Sequence, residues 1–139
     1  MMKLIVEPLT AAAFAPFGQA IIFREDEGRE VVSKSLISLR STAAPHLALT
    51  SKAAQPFPLV AERMERHRFS SQTFLPLNVA RYLVLVAPDN ATGGPDPQRA
   101  SAFTATGRQG VIYAVGTWHY PSAGSARPLR GADVAGRWP

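Results

Sequence analysis

Proline and glycine interrupt this chain so often, twelve and ten times in 139 residues, that few stretches are long enough to build a helix. Proline removes a backbone donor and clashes inside helices, and glycine gives up the most backbone freedom on ordering. Short strands joined by turns are what remain, so the expected class is all-β. The segments that alternate or run apolar between these breaks are 3–7, 18–23, 63–69, 72–77, 81–87, 100–106, 109–115 and 117–120. A hairpin is expected between 31–39 and 47–50, turning at Ala43-Ala44-Pro45. One short N-terminal helical turn is expected, capped by Thr10, running to Phe14 and stopped by Pro16 and Gly18. Residues 24–30 are a charged connection, 55–58 read as a loop, and 89–97, around Gly93-Gly94, read as another. Strands at such spacing suit a barrel or a double-sheet jelly roll.

Several classes are excluded by simple properties of the chain. With 46% hydrophobic and 18% charged residues, it has a globular and not a disordered composition. Its length suits one domain. No run approaches the roughly eighteen apolar residues of a spanning helix, so no membrane partner is expected. Cysteine is absent, which removes disulfides, zinc ribbons and thiol nucleophiles. Residues 1–8 lack the apolar stretch of a signal peptide, and the expected location is cytoplasmic. Asn90-Ala91-Thr92, formally a glycosylation sequon, is then a turn. The net charge of +5 would suit nucleic acid, but Arg24, Arg29, Lys34 and Arg40 alternate with Glu25, Asp26, Glu27 and Glu30. No basic stripe forms, so the expected partner is a small anionic molecule and not nucleic acid; one or two arginines suffice to grip a carboxylate.

Strand periodicity sends Glu65 and His67 to one face of 63–69 and Met64, Arg66 and Arg68 to the other. Three stretches then belong together: Ala13-Phe14-Ala15-Pro16-Phe17-Gly18; Glu65-Arg66-His67 with Ser71-Gln72-Thr73-Phe74-Leu75-Pro76; and Gln109-Gly110-Val111 leading to Gly116-Thr117-Trp118-His119-Tyr120-Pro121. In that order, over roughly residues 3–121, the chain resembles the ureidoglycolate lyase family of the cupin superfamily. The resemblance implies a cupin-like double-stranded β-helix, a homodimer, and cleavage of ureidoglycolate to glyoxylate and urea in purine-derived nitrogen use. Such a reaction needs a base for the carbinol hydroxyl, an acid for the departing urea nitrogen, and a group that holds the carboxylate. His67 and His119 suit the proton transfers, because imidazole titrates near neutrality. Glu65 would orient a histidine or act as base, and Gln72 would orient by hydrogen bonding. Arg40, Lys52 or Arg81 would meet the carboxylate, with Tyr120 as a further substrate-binding candidate. His46 reads as a surface or structural residue, and Phe14, Phe17, Phe74 and Trp118 read as core. Glu65, His67, Gln72 and His119 resemble the ligand set of metal-binding cupins, but the usual His-x-His pair is here Glu65-Arg66-His67. No metal and no other cofactor is expected.

Two regions depart from the family pattern. The Asn-Asn-Gly segment of typical members, followed by an arginine, is here Glu25-Asp26-Glu27-Gly28-Arg29-Glu30. The alternative to a lyase is therefore a non-catalytic cupin that binds a small carboxylate or ureido acid. Residues 122–139 have a linker's composition where the family continues with an apolar strand. Reading the second and third bases of each codon with the first of the next, under permitted synonymous codons, converts much of this tail to such a strand. The expected division is thus a lyase-like domain over 1–121 and an atypical, frameshifted tail over 122–139. The tail holds three arginines against one aspartate, so +2 of the net +5 lies there. A jelly roll without its closing strand would expose a sheet edge.

Overall fold

The computed structural model describes residues 2–121, 123–125 and 134–136. In chain order the elements are β1 (Met2–Leu4), β2 (Val6–Pro8), α1 (Ala11–Phe14), β3 (Gly18–Ile22), β4 (Leu59–Ala61), β5 (Gln72–Phe74) and β6 (Arg81–Ala87). They continue with β7 (Ser101–Thr106), β8 (Gln109–Tyr113), β9 (Trp118–His119), β10 (Ala123–Ser125) and β11 (Val134–Gly136). Short 3-10 turns lie at Ser33–Ser35 and Pro97–Arg99. The class is all-β, and among the described residues no helix is long and apolar enough to cross a membrane.

The described strands form three sheets. The first runs β10-β6-β7-β2, with β9 also pairing β6; the second runs β3-β8-β5, and the third β1-β11-β4. Most pairs are antiparallel, while β2 runs parallel to β7 and β11 parallel to β4. Among the described residues each sheet is an open path and none closes into a barrel.

Strand β6 organises the interior because both its faces are apolar. Tyr82, Val84 and Val86 enter one core with Phe14, Phe17, Phe103, Val111 and Tyr113. Leu83 and Leu85 enter a second core with Leu59, Ala61 and Ala102, against which Leu4, Val6 and Tyr120 pack. Each buried leucine or valine contributes about 1.5–3 kcal/mol relative to exposure. Helix α1 covers the first core. The Thr10 hydroxyl caps it by accepting from the Ala13 N–H at 3.2 Å, and Phe14, fully buried, meets Phe17, Phe103 and Tyr113 at centroid distances of 6.0–6.1 Å.

Several sequence expectations need correction. Segment 3–7 is two strands in different sheets, broken at exposed Ile5. The hairpin of 31–39 with 47–50 does not form: Leu36, Leu39, Leu47 and Leu49 stay exposed, so no apolar face rewards the pairing. Residues 37–39 instead meet 69–71, where Leu39 N–H donates to Phe69 O at 2.8 Å and Ser71 N–H to Ile37 O at 2.9 Å. The Ser35 hydroxyl turns away to Gln19 and the Ser38 hydroxyl bonds Arg40 backbone, as serines near irregular backbone commonly do. Segment 63–69 is irregular, with a single bridge from Glu65 to His119. Strand β4 was hidden behind Pro56-Phe57-Pro58, although Leu59 and Ala61 alternate inward around Val60. Gln98 sits in a second unexpected feature, the Pro97–Arg99 turn capped by Asp96.

Gly18 and Gly28 share nearly the same backbone, at φ +151° and +159°, but differ in surroundings. A Cβ on Gly18 would lie 1.9 Å from Ile112 O in the β3–β8 ladder, whereas one on Gly28 would meet nothing within 4 Å. Comparing the two alanine variants isolates the clash from the backbone strain. Gly18→Ala should lose at least about 2 kcal/mol more stability than Gly28→Ala in urea unfolding; equal losses would show that the ladder yields.

Candidate active site

The chemistry-bearing side chains gather where β9 is held between β6 and the Glu65 backbone. His119 pairs with Val86 of β6 on one side. On the other, Glu65 and His119 exchange two backbone hydrogen bonds of 2.8 Å, and Gly116 N–H donates to His67 O at 2.7 Å. Gly116 turns the chain into this position with φ +80°, in the left-handed region that glycine enters without a steric penalty. The Thr117 hydroxyl fixes the turn from below by donating to Phe17 O at 3.0 Å.

His119 is fully buried. Its Nδ1 lies 3.0 Å from Thr117 O, and since a carbonyl only accepts, Nδ1 carries the hydrogen. In the neutral ring Nε2 then presents a lone pair. That nitrogen is 3.4 Å from Glu65 Oε1 with no formed hydrogen bond, and the two become an ion pair only when the ring is protonated. Tyr113 stacks on the His119 ring at 4.2 Å and 9°, and His67 lies on it at 5.6 Å and 27°. Burial pushes the Tyr113 phenol upward, so it stays protonated. Burial also lowers the His119 value; the Thr117 carbonyl and Glu65 oppose this, and His67 adds to it.

Glu65, His67 and His119 thus come together as the sequence pattern expects, although on irregular backbone. Gln72 joins them from β5: it is the register partner of Tyr113, so both project from the same face. Its Oε1 is buried and has no hydrogen-bond partner among the described residues, as is true of His67 Nε2. Two clefts open here. One, of about 380 Å³, is lined by Thr50, Lys52, Arg63, Glu65 and Gln72 among others. The second, of about 350 Å³, is lined by His67 with Arg40, Arg66, Arg68, Phe69 and Ser70.

Of the expected substrate-binding residues, Arg40 and Lys52 therefore border the clefts, while Arg81 and Tyr120 do not line either one. Arg81 begins β6, whereas His119 pairs near its other end, a separation of about 16 Å at strand rise. Tyr120 follows His119 and so faces the opposite way, into the second core. His46 is exposed, and Asn90 builds the expected turn by accepting from the Thr92 and Gly94 N–H groups at 2.9 Å. Trp118 is half-buried at the surface and not in the core. Sequence patterning missed Tyr113, Arg63 and Arg68, because which strands pair, and which loops meet, is not encoded in local spacing.

Comparison with known proteins gives the family. The family model described as ureidoglycolate lyase matches residues 1–129. The chain belongs to the ureidoglycolate lyase family. Curated members named ureidoglycolate lyase include those of Azotobacter vinelandii, 37% identical over 87% of this chain and 77% of that protein, and Stutzerimonas stutzeri, 40% identical over 87% and 75%. The Brucella anthropi protein of the same name is 41% identical over 85% of this chain and 73% of its own length.

In this family member the site also has the makings of an ion cradle. One ligand atom each from Glu65, His67 and His119 lie within 4.8 Å of one another. Two imidazole nitrogens and a carboxylate suit a divalent transition ion.

The lowered His119 value has a consequence for stability. An unfolded histidine takes up a proton around 6.5, while the buried ring resists it to lower pH. The unfolded chain then binds more protons, so this residue's contribution declines as pH falls below about 6.5. Urea unfolding at pH 7.5 and 5.5 should show a smaller acid loss in His119→Gln than in the unsubstituted protein. The same loss in both would place the effect elsewhere.

Proposed function

We propose that this protein is a ureidoglycolate lyase that cleaves the C–N bond of ureidoglycolate to give glyoxylate and urea. The observation that carries the proposal is the convergence of His67, His119 and Glu65, with the Nε2 atoms of both histidines lacking a hydrogen-bond partner among the described residues. The substrate is a carbinolamine. Neutral His119 takes the hydroxyl proton at Nε2, the oxygen lone pair forms the aldehyde carbonyl as the C–N bond breaks, and protonated His67 supplies the hydrogen that completes urea. Glu65, beside Nε2, stabilises the imidazolium as it forms. Gln72 Oε1, an acceptor in need of a donor, suits a ureido N–H. Arg40, beside His67, or Lys52, beside Gln72, suits the carboxylate.

The test is release of urea and glyoxylate from ureidoglycolate. His119→Ala and His67→Ala should each lower kcat by about 10²–10⁴-fold, and Gln72→Ala should chiefly raise KM. Tight substrate binding without urea release would leave the non-catalytic cupin instead. A second reading of the same residues rests on the shared 4.8 Å spacing: Glu65, His67 and His119 would hold a divalent ion, which would supply Lewis-acid chemistry at the substrate. Activity that survives exhaustive dialysis against a chelator supports direct acid–base chemistry, and activity lost and then restored by added Ni²⁺, Co²⁺ or Zn²⁺ supports the ion.

The finer architecture belongs to the same proposal. A cupin-like double-stranded β-helix is supported by short, mainly antiparallel strands around β6. A cytoplasmic location is in keeping with the lack of cysteine, and a small anionic partner without nucleic acid with the interleaved charge; a homodimer is what the family resemblance implies. Light scattering should return twice the 15.0 kDa chain mass; a monomer would refute the dimer. The domain over 1–121 with a frameshifted tail rests on the linker-like composition of 122–139, while the family model itself runs to residue 129. Residues 122, 126–133 and 137–139 of that tail lie outside the described residues. A gene sequence that encodes an apolar strand in the next frame would sustain this division, and one that does not would end it.

A further inference from the structure

Between Glu65 and His67, whose side chains meet His119, stands Arg66, and its side chain goes elsewhere. Its guanidinium donates to Asp89 Oδ1 at 2.6 Å and to Gly93 O at 3.1 Å. It also lies over the Trp118 ring at 4.5 Å. The Trp118 indole N–H donates to the same Asp89 oxygen at 2.8 Å. Arg66 and Trp118 are thus the outward counterparts of His67 and His119, neighbours along the same two facing segments. The Arg66 side chain is only 13% exposed, while Asp89 is 55% exposed; its two terminal nitrogens are bonded, and its buried Nε has no hydrogen-bond partner among the described residues.

This clamp matters because 63–69 forms no regular strand; its far end is tied by the Leu39 N–H bond to Phe69 O at 2.8 Å, and Met64 packs on the second core. The segment has one β-bridge, and three backbone bonds, at Glu65, His119 and Gly116, join it to 116–119. Those bonds tie the backbone at Glu65 and His67 but leave Arg66, between them, a freedom that no backbone bond among the described residues removes. A rigid fork bound at two points, with its flat face on an indole, removes that freedom. We infer that Arg66 is a positioning residue that, through Asp89, Gly93 and Trp118, holds Glu65 and His67 at the angle that brings both to His119. Arg66 borders the cleft beside His67, but its terminal nitrogens are committed to Asp89 and Gly93, so an unchanged KM separates positioning from substrate contact; its effect on turnover rests on the proposed lyase activity.

Arg66→Met keeps a stem over Trp118 and removes the fork; Arg66→Lys keeps the charge alone. Arg108→Met is a matched control, because Arg108 also pairs a carboxylate, Glu25 at 3.1 Å, and covers an aromatic ring, Phe23 at 4.6 Å, away from the site. The first readout needs no substrate. Amide hydrogen exchange at Glu65, Gly116 and His119 should accelerate at least about tenfold in Arg66→Met, with Val84 and Ile112 unchanged, as local opening requires. The second is kinetic: kcat should fall by about a hundredfold with KM within about twofold, Arg66→Lys should recover part of it, and Arg108→Met should be unaffected. Unchanged exchange at the three amides, acceleration spread equally through β6 and β8, or an equal kcat loss in Arg108→Met would each overturn the inference. An unsubstituted protein without lyase activity would refute the proposed function, while the exchange comparison would still decide the role of Arg66.

Discussion

A strand with apolar side chains on both faces must be covered twice, and β6 places that demand at the centre of this molecule. One layer would leave either Leu83 and Leu85 or Tyr82, Val84 and Val86 in water. The β3-β8-β5 sheet with α1 answers one face and the β4 region answers the other. Both then stand at fixed distances from the end of β6 where β9 joins. The position of His119 is therefore a by-product of core packing, since its backbone is tied to Val86 in the most buried strand of the protein.

A buried imidazole has to be justified locally. Here the Thr117 carbonyl satisfies one nitrogen and Tyr113 covers a ring face, leaving the ring's other nitrogen, Nε2, without a hydrogen-bond partner among the described residues. Full satisfaction would have made His119 a structural residue. The missing bond is what gives it chemistry, because a desolvated lone pair beside a carboxylate can accept a proton and share the resulting charge.

Much of this was readable from the residues alone, and the failures have physical causes. Strand β6 agrees with its expected span, and β7 and α1 nearly do, because unbroken apolar or alternating runs and a threonine cap are local signals. The Glu65 and His67 alternation gave the right directions on backbone that is not a strand, since two flanking backbone bonds to His119 suffice to impose an extended conformation. The expected 31–50 hairpin failed because serines offered side-chain bonds while the leucines found no face to bury. Arg81 and Tyr120 stand apart from the two clefts for a different reason: charge and ring suggest a role, but only strand direction and parity decide which end and which side a residue occupies. Tyr113 was overlooked because its relation to Gln72 exists only through pairing.

The sheet β1-β11-β4 has an implication for how the protein is made. Met2 to Leu4 pair with residues at 134–136, and those same residues pair with Leu59 to Ala61, so β11 is the only described link between the two older strands. Contacts so distant in sequence close slowly. On the ribosome β1 and β4 emerge with no mutual partner and wait for residues 134–136 before their backbone groups are matched. Until then, two strand edges are open to pairing with a neighbouring chain.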